Sequence, residues 1–113
     1  MEGSTITWSD FEKVEIRVGT VLTAEVFPEA RSPAFKLTVD FGPVGVKRTS
    51  AQITGRYEPK DLVGRQVLAV TNFLPKRIAG FQSEVLILGA IPGEGDVVLA
   101  RPDEKVPDGT RIL

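Results

Sequence analysis

The sequence predicts an all-β fold, a five-stranded Greek-key barrel with short helical turns and an extension at each terminus. Three observations lead there. Apolar and polar residues alternate in several separate segments, the first of these segments is long and interrupted by a glycine, and one helix-compatible stretch separates the third strand from the fourth. A first strand that pairs on both sides must bend to close a small barrel, and an internal glycine permits the bend. A six-stranded sandwich is the competing arrangement.

Ser9-Asp10-Phe11-Glu12 has the spacing of a capping box, with Ser9 as cap, and predicts one short helical turn. From Val14 the period becomes two: Val14, Ile16 and Val18 alternate with Glu15 and Arg17, and the pattern runs on past Gly19 to Val26. Gly19 is the expected bulge. Two prolines, Pro28 and Pro33, make a loop before Phe35 to Phe41, where every odd position is apolar. Gly42-Pro43-Val44-Gly45 turns the chain, and Val46 to Gln52 returns as the hairpin partner. Glu58 to Gly64, with proline early and glycine at the end, suits a helical link. Gln66 to Phe73 and Glu84 to Ile91 then read as strands separated by a loop, Leu74 to Ser83, and Val97 to Ala100 as a further short strand. A small barrel of the OB type fits this order. No repeat, low-complexity tract or linker divides residues 1–113, which read as a single domain.

At 113 residues one core hides roughly two thirds of the surface the unfolded chain exposes, so a partner subunit would help. The sequence has no cysteine and no histidine. Disulfides, thiol nucleophiles, zinc fingers, Ser-His-Asp triads and histidine metal sites are thereby excluded. Carboxylates fall singly at turns and exposed strand positions, no Asp-x-Asp loop or Walker sequence occurs, and no nucleophile-and-base pair can be assembled. The expectation is a protein with no catalytic residues, metal or cofactor. No apolar run approaches the ~18 residues of a membrane span, and MEGSTITWSD lacks the order of a signal peptide, so the expected location is cytoplasmic, without membrane insertion.

The net charge of −1 conceals a division: residues 1–30 carry −4, residues 31–82 carry +6 and residues 83–113 carry −3. A basic middle suggests a face that attracts phosphate or an acidic protein surface, or simply a solvated one. Within it, Asn72-Phe73-Leu74-Pro75-Lys76-Arg77-Ile78-Ala79-Gly80-Phe81 places two phenylalanines, a leucine and a proline beside adjacent cations. Such a loop can pack its rings into the core, grip an apolar peptide, or stack a base while the cations hold phosphate. Lys36 belongs to the exposed side of its strand, and of Lys47 and Arg48 only one can share that side.

These segments resemble the tRNA-binding OB-domain family, found alone and appended to some aminoacyl-tRNA synthetases. The residues carrying the resemblance are Phe11 to Val21, Pro28-Glu29-Ala30-Arg31, Lys36 to Gly42, Asn72-Phe73-Leu74-Pro75 and Ser83. Ala30 to Leu37, Asp40-Phe41-Gly42, Ser50-Ala51-Gln52-Ile53-Thr54 and Phe81 to Gly89 are similar to the CsaA group of that family, small homodimeric proteins regarded as export-related chaperones. The tRNA-binding pattern has Asn-Leu-Lys-Pro where this chain reads Asn72-Phe73-Leu74-Pro75, and Ser-x-Gly-Met where it reads Ser83-Glu84-Val85-Leu86. A lost cation and an added carboxylate weaken a phosphate site and enlarge an apolar one.

The resemblance implies a non-enzymatic homodimeric chaperone for unfolded or precursor proteins, with an export translocation motor among its partners. Its expected peptide site is Phe73, Leu74, Pro75 and Phe81, rimmed by Arg31, Lys36, Lys76 and Arg77. The alternative is a tRNA-binding surface of Lys47, Arg48, Asn72, Lys76, Arg77 and Ser83. Residues 1–10 and 102–113, through Ile6, Trp8, Ile112 and Leu113, are the expected dimer-forming extensions, the competing reading being that they cover the open end of their own barrel.

Overall fold

The computed structural model describes residues 3–113, so the first two residues of the expected N-terminal extension lie outside it. A nearly closed five-stranded antiparallel barrel forms from β1 (Ile16–Val26), β2 (Phe35–Asp40), β3 (Val46–Ala51), β4 (Gln66–Val70) and β7 (Leu86–Ile87), ordered β3-β2-β1-β4-β7. This is the OB-type barrel that the alternation predicts. β1 pairs on both flanks: residues 16–20 with β4 and residues 20–26 with β2.

The bulge in β1 is not at the glycine. The β1–β2 register slips between Val21 and Thr23, so Leu22 is the bulged residue. Gly19 is required for another reason. A Cβ there would stand 2.6 Å from Val39 Cγ1 and 2.7 Å from the Phe41 ring, so its missing side chain lets the barrel wall close over that ring. Phe41, Leu37, Val39, Val21 and Val67 fill the interior, each stabilising the fold by about 2 kcal/mol on burial. α2 (Pro59–Leu62) plugs one end with its fully buried Leu62, fixed where the Gly64 amide donates to Val21 O at 2.8 Å.

Side chains and a single backbone bond, instead of a regular ladder, complete the last seam. Thr49 Oγ1 donates to Val85 O at 2.7 Å, the Ser50 amide to Ser83 Oγ at 3.0 Å, and the Glu84 amide to Arg48 O at 2.8 Å. These bonds tie β3 to the segment leading into β7.

Four further sequence expectations need correction. The first helix, α1 (Trp8–Glu12), is capped by Thr7, not Ser9: Thr7 Oγ1 accepts the Asp10 amide and Asp10 Oδ2 the Thr7 amide, each at 3.1 Å. β4 ends at Val70: the Thr71 amide still donates to Glu15 O in the same register, but beyond it Asn72 bonds the backbone of Lys13 and Glu15 through its side chain. The expected loop 74–83 contains a hairpin, β5 (Lys76–Ile78) and β6 (Phe81–Ser83), joined through left-handed Ala79 (φ 48°) and Gly80 (φ 81°). The expected strand 84–91 divides into β7, on β4, and β8 (Gly89–Gly93), on β9 (Asp96–Leu99).

The C-terminal segment docks on its own barrel. The Val18 amide donates to Thr110 O (2.9 Å), the Gly109 amide to Val18 O (2.7 Å) and the Ile112 amide to Ile16 O (2.8 Å), occupying the part of β1 that β2 does not reach. Thr20 and Gln66 both hold Asp108, through Oγ1 at 2.6 Å and Nε2 at 3.2 Å.

Candidate functional site

The β5–β6 hairpin packs on the barrel through β6 and, with its neighbours, borders two adjoining clefts. The first, of about 500 Å³, runs between the hairpin, the seam segment 83–87 and the β8–β9 hairpin. Phe73, Leu74, Ile78, Leu86, Ile91 and Val97 make it apolar, with Lys76 and Glu84 as its charged members. The β4–β5 link presents Phe73 at 56% and Leu74 at 92% exposure. Leaving such surfaces in water is unfavourable by about 25 cal/mol per Å² of apolar area, so contact with an apolar ligand would be favourable. Glu84 is already occupied in part, its Oε1 accepting the Arg48 amide at 2.8 Å.

The second cleft, of about 740 Å³, lies on the other side of the hairpin, against the β1–β2 loop. Arg31 comes from that loop and Lys76 and Arg77 from β5, with Glu29 as the acidic lining residue. Ser50, Gln52, Lys76 and Ile78 border both clefts, which makes them continuous neighbours.

The structure separates residues that the sequence grouped. Phe73 and Leu74 line the apolar cleft with Lys76, and exposed Pro75 sits between them and the strand. Phe81 lines neither cleft: its ring packs edge-on against Phe27 at 5.4 Å, with Lys36 Nζ 5.6 Å and the Arg48 guanidinium 5.3 Å from its centroid. Lys36 also pairs with Glu25 at 3.7 Å. Register sets this cluster, since Arg48 lies opposite Thr38 and so on the side of Lys36, whereas Lys47 lies opposite Val39 on the other side. Arg48 is the member of the Lys47–Arg48 pair that shares Lys36's face.

Asn72 and Ser83 are tied into the fold. Asn72 Oδ1 accepts the Glu15 amide at 3.0 Å while Nδ2 donates to Lys13 O at 2.7 Å. Beside it, Glu15 Oε2 accepts from Arg17 Nε at 3.0 Å and Thr71 Oγ1 at 2.8 Å, and these two bonds, Arg17's first, hold the carboxyl below its ordinary pKa. Ser83 is buried in the β3 seam. At the N-terminal end, Ile6 and Trp8 are exposed, Trp8 tilted against Phe11 at 5.6 Å. Ile112 is half-buried by the docked tail, and Leu113 is exposed.

Leu86, Ile78 and Ile91 were not among the expected site residues. Leu86 and Ile91 fell in a segment expected to be one strand and Ile78 in the expected loop, and the break between β7 and β8 together with the β5–β6 hairpin brings all three to one cleft. Among the described residues, no group of three or more Asp or Glu side chains is placed to hold a metal, and no helix is long and apolar enough to cross a membrane.

Comparison with known proteins follows the same outline. Residues 16–111 match the family model described as "Putative tRNA binding domain". The chain is similar to methionine--tRNA ligases, with 39% identity over 111 residues to that of Methanothrix thermoacetophila and 38% over 104 residues to that of Methanocaldococcus jannaschii. The matches cover 98% and 92% of this chain but 16% of each ligase. Among solved structures, chaperone CsaA from Bacillus anthracis superposes with a TM-score of 0.94 at 54% identity, covering 97% of this chain and 100% of that one. The CsaA chaperone protein of Picrophilus torridus gives 0.90 at 47%, covering 96% and 100%. A MetRS-related protein from Pyrococcus horikoshii gives 0.87 at 29%, covering 97% and 99%. The barrel with its docked tail and the near-complete mutual coverage agree: this chain belongs to the tRNA-binding OB-domain family, in its CsaA-type group.

Proposed function

We propose that this chain is a non-enzymatic, homodimeric chaperone in the cytoplasm that holds apolar segments of unfolded or precursor proteins for export, with an export translocation motor as a further partner. The observation that carries this reading is the apolar cleft itself. Phe73, Leu74, Leu86 and Ile91 are all substantially exposed, although the barrel core is complete without them. An extended apolar segment would cover them, and Lys76 would meet its polar backbone at the rim. The likeness to the two CsaA chaperone structures above supports the same reading.

Ile6, Trp8 and Leu113, exposed by 63%, 64% and 90%, are the surfaces proposed to join two copies. Two clefts on one dimer would then hold a long client by avidity without a nucleotide cycle. A photo-crosslinker at Leu74 tests the site. It should capture an unfolded test protein and not its folded form, while the same group at Val63, exposed but outside both clefts, should capture neither. Equal labelling from the two positions would contradict the reading.

A second reading, tRNA binding, is favoured by the family match and by the basic surface of Arg31, Lys76, Arg77 and Arg48. If several phosphates are contacted, log affinity for bulk tRNA should fall with log salt by about 0.7 to 0.9 per phosphate. Absence of a mobility shift at low salt would rule it out.

A further inference from the structure

We infer that the preferred client segment is bipartite, an apolar stretch followed or preceded by acidic side chains, with the apolar part in the first cleft and the Asp or Glu side chains in the second. The inference rests on the chaperone reading and adds to it what the client must carry. Arg31, Lys76 and Arg77 border the second cleft, and among the described residues none of them forms an ion pair. Lys36 and Arg48 differ, because both lie over the Phe81 ring and Lys36 also meets Glu25. Arg77 uses one N–H on Gly80 O at 3.2 Å and keeps its other donors.

Three cations facing one carboxylate, Glu29, across a concave surface create a positive potential that a negatively charged ligand would relieve. They also stand on two walls, Arg31 on the β1–β2 loop and Lys76 and Arg77 on β5, so they line a track instead of converging on one point. A chain passing through presents side-chain carboxylates along such a track, whereas a terminal carboxylate would have to end in it. Ser50, Gln52, Lys76 and Ile78 border both clefts, so one extended segment can occupy the two. The partition is β5, Lys76–Ile78, and an extended client at about 3.3 Å per residue would pass the roughly 10 Å thickness of one β layer in about three residues.

The test uses two fluorescein-labelled, C-terminally amidated peptides that carry two leucines and, three residues on, either Asp-Glu or Asn-Gln. Both should bind the wild-type protein, the acidic one about tenfold more tightly at low salt, as expected for charge-assisted contacts on a partly exposed surface. Arg31→Gln/Arg77→Gln, which leaves Lys76 at the rim of the apolar cleft in place, should cut the difference to about twofold or less while retaining affinity for the Asn-Gln peptide, with circular dichroism confirming the fold. Phe73→Ser/Leu74→Ser should weaken both peptides together. Equal binding of the two peptides to wild type overturns the bipartite inference and leaves the chaperone reading standing. Failure of wild type to bind either peptide overturns both. Displacement of the acidic peptide by a short single-stranded RNA that binds wild type more tightly and loses that binding in Arg31→Gln/Arg77→Gln would overturn it in favour of an RNA track.

Discussion

Asn72 clasps the backbone at Glu15: its Oδ1 accepts the Glu15 amide at 3.0 Å, and its Nδ2 reaches back to Lys13 O at 2.7 Å. The chain's one asparagine thus pins the link between α1 and β1 to the end of β4. Asn72→Ala should lower stability by about 1–2 kcal/mol, the usual effect of losing two backbone-directed hydrogen bonds, read as a lower urea midpoint. A base-reading role would show a different pattern, in which tRNA affinity falls while the midpoint stays.

Gly19→Ala should destabilise by about 1–3 kcal/mol through overpacking. The new Cβ would press on Val39 Cγ1 and on the Phe41 ring, both in the barrel interior. Denaturant titration checks it, and an unchanged midpoint would mean that the ring can move aside.

Glu15 sets a pH dependence whose sign follows from its partners. Arg17 and then Thr71 lower its folded pKa, so the contribution is present above the ordinary glutamate value and is lost as pH falls through the depressed one. The stability difference between wild type and Glu15→Gln should therefore be constant near neutrality and shrink below about pH 4, where the unfolded carboxyl takes up its proton. Urea midpoints of both proteins from pH 7 to pH 3 measure it. A difference that grows with acid would contradict the assigned bonds.

The barrel was legible because alternation in Phe35 to Phe41 and β-branching in Val14 to Val26 record which side chains face inward. Leu22 shows what alternation does not record. A bulge is created by one residue that fails to pair, and nothing in Val21-Leu22-Thr23 marks which of the three it is. The β5–β6 hairpin was hidden because both its strands are three residues long and one begins Lys76-Arg77, with Ala79 in a left-handed turn position that usually signals glycine or asparagine. The 72–81 stretch stood out by composition, and Phe73, Leu74 and Lys76 do border one cleft. Phe81 was grouped with them by nearness in sequence, yet the turn at Ala79-Gly80 returns the chain and β6 carries its ring to Phe27. The docking of residues 106–112 on β1 depends on distant backbone partners that no local pattern reveals.

The division between Phe73 and Phe81 provides the most direct test. Suppression of aggregation of a thermally unfolded test protein should fall severalfold in Phe73→Ser/Leu74→Ser, whose denaturation midpoint should stay within about 0.5 kcal/mol of wild type because both side chains are exposed. Phe81→Ser should do the reverse, losing about 1 kcal/mol of stability with its Phe27 contact while still protecting the client at temperatures where it remains folded. Undiminished protection by Phe73→Ser/Leu74→Ser would contradict the proposal that the cleft beside the β5–β6 hairpin holds the client.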